Sequence, residues 1–316
     1  MTGDPRDFEL VFSDEFNRGG RKFNDGKDPR WTAVNKNDYT NAALHFYSHD
    51  MVETKNGSLE ITTVNEDIDF MYYDTPAKTY RSMRKNYISG MVQTWNKFCF
   101  TGGSLRVRAT LPGQPDVGGL WPAIWLMGNL ARATYTSSSD FLWPWSYDKC
   151  DRTTEERRGW QHQQEISHCD KSVHYGFHPE QGRGAPEIDV LEVMAGTEPG
   201  RPYVSTSFQV APGTDGATRP LEGHEPTPGT WYEEEIEYGN NSSLNKYFYG
   251  ERLLHTPAER SYWADAISSN HQLLRSHFTT MHTYRLDWEP GKEDGYLRWY
   301  VDDEFVYGIT SRTVVR

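Results

Sequence analysis

Pro186-Glu187-Ile188-Asp189-Val190-Leu191-Glu192-Val193 is the stretch from which the fold can be read. In a β-strand successive side chains point to opposite faces, so Glu187 and Asp189 share one face. Ile188 and Val190 then point to the other face. One acidic and one apolar face is typical of a strand that covers a hydrophobic core on one side only.

Glu192 does not follow this alternation, because it lies five residues after Glu187 and has the wrong parity for the acidic face. A β-bulge at Val190-Leu191 would restore the parity, and bulges are common beside active sites. Three carboxylates on one face repel each other, which is costly unless chemistry uses them. The alternative interpretation of the acidic residues alone is a solvated edge strand.

The rest of the chain has the same rhythm of short strand-like runs separated by Gly, Asn, Asp and Pro turns. Helix-period stretches are scarce, and residues 258–275 are the best helix candidate. This pattern predicts an all-β sandwich in a single domain, 1–316, with a loop insertion at 130–184 and a second insertion at 239–280. The other predicted strands are Phe8–Phe12, Gly57–Thr63, Ile88–Thr94, Gly103–Thr110, Tyr203–Val210, Trp231–Tyr238, Thr283–Trp288 and Tyr296–Val301.

Composition excludes several classes of protein. The net charge of −12, without a Lys/Arg stripe, excludes a typical nucleic-acid binder. Eleven Trp and 19 Tyr are more than a core needs and indicate exposed aromatic platforms, which are typical of binding clefts. The polar N-terminus, Met1–Asp7, lacks an apolar signal core, so either the protein is cytosolic or an upstream targeting segment is missing.

The acidic residues fit one kind of chemistry well. Retaining glycoside cleavage needs a carboxylate nucleophile and a carboxylic acid about 5–5.5 Å apart. Neighbouring negative charge raises the pKa of the acid, which then stays protonated near neutral pH. Asp189, between the two glutamates, would supply part of that charge and could hydrogen-bond Glu187.

Several motifs, in order, resemble family 16 glycoside hydrolases. Glu187–Glu192 resembles the catalytic signature in its bulged form, and Gly119–Gly128 resembles the second hallmark upstream of it. Trp95–Phe100, Gly182–Pro186 and Ser207–Pro212 resemble, more narrowly, the branch of the β-1,6-glucan synthesis-associated proteins.

The resemblance implies a concanavalin-like jelly roll, a two-sheet antiparallel β-sandwich with a concave glucan cleft. It implies Glu187 as nucleophile, Asp189 as its helper and Glu192 as acid/base. The implied partner is a β-glucan or oligosaccharide, and the implied location is the secretory lumen, with a membrane reached only through a missing upstream anchor. Family members also carry further strands after Trp299–Asp302, so we expect this chain to lack its last strands.

Aromatic and amide side chains are the predicted glucan-binding groups. Trp121 and Trp125 are four residues apart and share a face in a strand, either in the cleft or in the core. Asn41 and Tyr47 match a stretch that lines the cleft in family relatives. The full predicted set of substrate-binding residues is Asn41, Tyr47, Trp95, Trp121, Trp125, Trp143 and Gln209.

The spacing of the cysteines and histidines in the sequence does not indicate a metal site. The secretory resemblance implies a Cys150–Cys169 disulfide that closes the insertion, with Cys99 as a free thiol. The histidines of the insertion match no compact zinc pattern, and we predict no metal and no cofactor. These histidines are His162, His168, His174 and His178.

The favoured function is a retaining β-glucan glycosidase or transglycosylase, with a tilt towards transfer that makes or remodels β-1,6 links. A non-catalytic glucan-binding or cell-wall assembly module on the same fold is the main alternative. A calcium-binding lectin is the weakest, because calcium ligands usually come from loops with mixed carbonyls.

Overall fold

A computed structural model describes residues 8–37, 43–74, 77–128, 186–195, 202–210, 218–252 and 263–314. The described residues up to Phe100 form one compact unit, and those from Thr101 onward form a second. The strands of the first unit are β1 (Thr32–Ala33), β2 (Lys36–Asn37), β3 (His45–Tyr47), β4 (Val52–Lys55), β5 (Ser58–Ile61), β6 (Ile68–Asp74), β7 (Thr79–Lys85), β8 (Tyr87–Ser89) and β9 (Val92–Gln93).

The second unit contributes the longer strands. They are β10 (Gly103–Ala109), β11 (Ala123–Met127), β12 (Glu187–Met194), β13 (Tyr203–Val210), β14 (Glu237–Tyr238), β15 (Ser242–Leu244), β16 (Gly250–Arg252), β17 (Trp263–Gln272), β18 (His282–Glu289), β19 (Tyr296–Val301) and β20 (Glu304–Thr310). Helical residues in the described chain are confined to short segments, namely 3-10 turns at His49–Met51 and Arg275–Phe278 and an α-turn at Ser311–Val314. No helix in the described ranges has the length and apolarity that crossing a bilayer requires.

Two antiparallel sheets form the second unit. One has the order β10-β18-β19-β20-β14, and the other has the order β11-β12-β13-β17-β15, with β16 also paired to β17. Side chains from both sheets fill one shared hydrophobic core, including Leu191 and Val204 from one sheet and Leu286, Trp299 and Val306 from the other. The predicted all-β, two-sheet antiparallel sandwich of the jelly-roll class is confirmed.

Strict alternation explains why these segments are strands. In β19, Leu297, Trp299 and Val301 are buried while the residues between them are half-buried. The same period of two puts Tyr284 and Leu286 of β18 into the core. Burying these apolar faces against each other is the main driving force for the sandwich.

The first unit is built from small sheets. β2, β3 and β8 form a three-stranded sheet in which β3 and β8 run parallel, and the pairs β1-β9, β4-β5 and β6-β7 are antiparallel. Its core is small and contains Phe23, Ala33 and Val52.

Three predictions about secondary structure were wrong. Within the expected helix at 258–275, residues 263–272 instead form β17, a ten-residue strand that pairs along β13. Residues such as Ala264 and Ala266 favour helix in isolation, but pairing in the middle of a sheet overrides that weak preference. The predicted strand Phe8–Phe12 carries no strand structure. The predicted strand Trp231–Tyr238 is a strand only at Glu237–Tyr238, which is β14.

The segment predicted as a second insertion, 239–280, contains β15, β16 and β17. The larger predicted insertion, 130–184, lies outside the described residues. The assignment of 1–316 to a single domain stays a prediction.

Candidate functional site

The β-bulge predicted at Val190-Leu191 is present in β12. Asp189 pairs with Ser207 of β13 and Glu192 pairs with Ser205, so Val190 and Leu191 together face one residue, Thr206. The ladder to β11 shifts at the same point. The extra residue in β12 changes the parity of every side chain after it, which places Glu192 on the face of Glu187 and Asp189.

Burial of the surrounding apolar residues locks this register. Ile188, Val190, Leu191 and Val193 all belong to the hydrophobic core and are between 1% and 7% exposed. Since both residues of the bulge are buried in the core, a slip of β12 by one residue would move apolar side chains out of it. The core therefore specifies which face carries the acids.

The three carboxylates differ in their contact with solvent. Glu187 is buried and Asp189 is fully buried, with an exposed fraction of 0%. Glu192 is half-buried at the open end of the row. Burial of three neighbouring acids disfavours their simultaneous ionisation.

Burial shifts the pKa values of two of these acids upward. Burial raises the pKa of Asp189 to about 6, although its hydrogen bonds with Glu187 and Gln209 oppose this rise. Burial and the nearby Asp189 carboxylate raise the pKa of Glu192 to about 8, against the hydrogen bond from Trp121. The raised pKa favours the protonated form of Glu192, which is the form that a general acid requires.

Both tryptophans of the upstream hallmark lie at this face. The indole Nε1 of Trp121 donates to Glu192 Oε1 at 3.1 Å, and the Trp121 side chain is 55% exposed. Trp125 in β11 is the cross-strand partner of Asp189 and is half-buried. Trp121 thus presents an accessible aromatic surface beside Glu192.

Gln209 contacts the middle carboxylate directly. Its amide Nε2 donates to Asp189 Oδ2 at 2.9 Å, and its side chain is buried. In β13 Gln209 is the cross-strand partner of Glu187, which lies two residues before Asp189 on the same face of β12. The structure therefore places Gln209 as a support for Asp189, while its predicted contact with substrate stays a prediction.

A layer of buried small polar side chains continues the acidic face across the sheet. Ser207 Oγ donates to Ser268 Oγ at 2.9 Å, and Ser205 Oγ lies 3.0 Å from Ser268 Oγ. Asn245 Nδ2 donates to Ser205 and Ser268 at 3.3 and 3.2 Å. This layer is not evident from the sequence, because serines in a strand carry no signal for which distant serine they contact.

Other predicted residues lie elsewhere in the chain. Tyr47 lies half-buried in β3 and Trp95 is exposed in a turn, both in the first unit. Their part in glucan binding stays a prediction. Cys99 is a free thiol, as predicted. Outside the described residues lie Asn41, Trp143, Cys150, Cys169 and the insertion histidines His162, His168, His174 and His178.

One histidine group has the composition of a metal site. Ligand atoms of His277, His282 and Asp302 lie within 4.8 Å of one another. The two imidazoles are stacked, with centroids 3.6 Å apart and planes 15° apart. An ion held by both rings would have to lie near both ring planes, which stacked rings do not permit. His277 Nδ1 instead contacts the Tyr284 hydroxyl, and His282 Nδ1 contacts Asp302 Oδ2.

Comparison with known proteins points to one family. The family model of the beta-glucan synthesis-associated proteins SKN1/KRE6/Sbg1 matches residues 1–316. The beta-glucan synthesis-associated protein KRE6 of Saccharomyces cerevisiae is 32% identical over 321 residues, which cover 97% of this chain and 39% of the relative. SKN1 of the same yeast is 41% identical over 220 residues, covering 67% and 26%. The chain thus spans about two fifths, or less, of the length of these relatives.

Among solved structures, the chain is similar to the catalytic domain of an endo-1,3-beta-glucanase (laminarinase) from Thermotoga petrophila RKU-1. The sequence identity is 16%, the TM-score is 0.48, and the alignment covers 98% of this chain and 79% of that chain.

Proposed function

Because this chain belongs to the family of the beta-glucan synthesis-associated proteins SKN1, KRE6 and Sbg1, we propose that it is a retaining transglycosylase. It cleaves a β-glucosidic bond and passes the glucan to a sugar acceptor or to water. The observation that carries the proposal is the bulge at Val190-Leu191, which gives Glu187, Asp189 and Glu192 one common face. A role limited to glucan binding would need neither three carboxyl groups on one face nor a raised pKa at Glu192.

In the first step Glu187 attacks the anomeric carbon and forms a glycosyl ester. The bond from that carbon to the leaving oxygen breaks, and Glu192 gives its proton to the leaving oxygen. The raised pKa of Glu192 keeps this proton available at neutral pH. When Asp189 carries a proton, which its raised pKa favours, it donates a hydrogen bond to the Glu187 carboxylate and so orients the nucleophile.

In the second step Glu192, now ionised, takes the proton of the acceptor hydroxyl. The acceptor oxygen bonds to the anomeric carbon, and Glu187 leaves as a carboxylate. Two displacements at one carbon retain its β configuration. The description "synthesis-associated" of the relatives favours a sugar hydroxyl over water as acceptor, and we propose a β-1,6 link as the product. We place this activity in the secretory lumen, where cell-wall glucan would be accessible.

The roles of the two glutamates can be separated with azide. The substrate is 2,4-dinitrophenyl β-laminaribioside, whose leaving group needs no acid, and the variants are Glu187→Ala and Glu192→Ala. Azide should restore turnover to both. With Glu187→Ala it should give an α-glycosyl azide by one displacement, and with Glu192→Ala it should give a β-glycosyl azide by two. Glu222→Ala, at an exposed acid outside β12, is the matched control and should behave like the parent.

The parent chain with laminari-oligosaccharides then identifies the acceptor. Longer products with new linkages indicate transfer, and only shorter products indicate hydrolysis. If the parent binds these oligosaccharides without releasing any product, and neither variant responds to azide, the chain is a glucan-binding module and the proposal is wrong.

A further inference from the structure

Trp299 contacts the acidic strand from the opposite sheet. It lies in β19, is 1% exposed, and belongs to the core between the sheets. Its indole Nε1 donates a hydrogen bond of 2.8 Å to the main-chain carbonyl of Asp189. This bond joins the two sheets at the residue where the bulge of β12 begins.

The position of this bond gives it a specific effect. A bulge interrupts the regular ladder and leaves main-chain groups that need partners outside it. In a buried region each such group must be paired, because an unpaired carbonyl is costly. Trp299 supplies a partner at Asp189, directly before the Val190-Leu191 step that sets the parity of Glu192.

We propose that Trp299 is a positioning residue, which holds the bulge through the Asp189 carbonyl and so keeps Glu192 aligned with Glu187. The expected effect of Trp299 on catalysis rests on the proposed function, whereas its expected effect on the bulge does not. A complete slip of β12 would bury Glu192 in the core, so loss of the bond loosens the bulge rather than removing it. The expected result is misalignment of the acid and not unfolding.

The chain contains a matched control for this residue. Trp231 lies in the same core and is also 1% exposed. Its indole nitrogen is buried without a hydrogen-bond partner among the described residues. Trp299→Phe and Trp231→Phe therefore remove the same atoms from the same core, but only Trp299→Phe breaks a hydrogen bond.

The first measurement is amide hydrogen exchange and does not need activity. In Trp299→Phe the amides of Val190 and Leu191 should exchange at least tenfold faster than in Trp231→Phe, while amides of β19 should be alike in both variants. Equal exchange at Val190 and Leu191 in the two variants would overturn the inference, whether or not the chain proves to be an enzyme.

The second measurement is steady-state kinetics on the activated laminaribioside and on laminari-oligosaccharides. Trp299→Phe should lower kcat about 10- to 100-fold on the oligosaccharides, which need the acid, with KM within about threefold. The loss should be smaller on the activated substrate, which does not need the acid. Equal losses on both substrates would indicate a purely structural role and overturn the inference.

A third variant covers the case in which Trp299→Phe does not fold. Replacement of Trp299 by 3-benzothienylalanine keeps the shape of the indole and removes only its N–H. Faster exchange at Val190 and Leu191 in this protein supports the inference, and exchange identical to that of the parent refutes it.

Discussion

The stacked pair His277–His282 predicts a steep loss of stability in acid. His277 is 3% exposed, its ring stacks on His282, and its Nδ1 lies 2.7 Å from the Tyr284 hydroxyl. Burial, and the nearby His282, lower the pKa of His277 to about 4. Asp302 opposes this shift and His271 adds to it.

The sign follows from which state binds more protons. In the folded chain the pKa of His277, about 4, lies below the ordinary value of 6.5. Between these two pH values His277 binds a proton in the unfolded chain but not in the folded chain. The contribution of neutral His277 to folding stability is fully present above pH 6.5 and is lost as the pH falls to 4. A shift of about 2.5 units corresponds to a loss of about 3 kcal/mol between pH 7 and pH 4.

The assay is urea unfolding of the parent, His277→Asn and His224→Asn at several pH values from 4 to 8. The asparagine oxygen can accept the Tyr284 hydrogen bond but cannot take a proton in this range. The parent and the exposed control His224→Asn should each lose about 3 kcal/mol more than His277→Asn between pH 7 and pH 4. Parallel curves for the parent and His277→Asn, or an NMR titration of His277 near pH 6.5, would refute the reasoning.

Two further substitutions test other contacts. Trp121→Phe removes the hydrogen bond that stabilises ionised Glu192. The alkaline limb of the pH–rate profile should therefore shift to higher pH by about half to one pH unit. An alkaline limb at the same pH as in the parent, or at lower pH, contradicts this. Arg219→Met leaves Asp265 buried without its ion-pair partner, which should lower the free energy of unfolding in urea by about 3–5 kcal/mol. The double variant Arg219→Met with Asp265→Asn should recover part of this loss. A loss below about 1 kcal/mol for the single change contradicts the prediction.

The sequence predicted the local features of the site better than the long-range ones. Parity indicated that Glu187 and Glu192, five residues apart, can share a face of one strand only if a bulge lies between them. The sandwich was predicted from the many short strand-like runs separated by turn residues, with few helical stretches. Both inferences use only neighbours along the chain.

Contacts between distant segments could not be predicted in this way. Gln209 reaches Asp189 across the β12–β13 register, and Trp299 reaches it from 110 positions further along the chain. The sequence placed Trp299 in the predicted strand Tyr296–Val301 but carried no information about the partner of its indole N–H. The helix prediction at 258–275 failed for the same reason, since the pairing of residues 265–272 with β13 is set by the sheet and not by local preference.

The core and the acidic face of β12 are consequently specified together. A straight β12 would turn Glu192 into the apolar interior, where an unpaired carboxylate costs several kcal/mol or takes up a proton. The bulge avoids that cost, and it also brings a second glutamate to the face of Glu187. Substitutions that change the volume of Val190 or Leu191 should therefore alter the alignment of the acids, although neither side chain points towards them. The geometry that the proposed reaction needs is thus held by apolar packing on the opposite side of the strand.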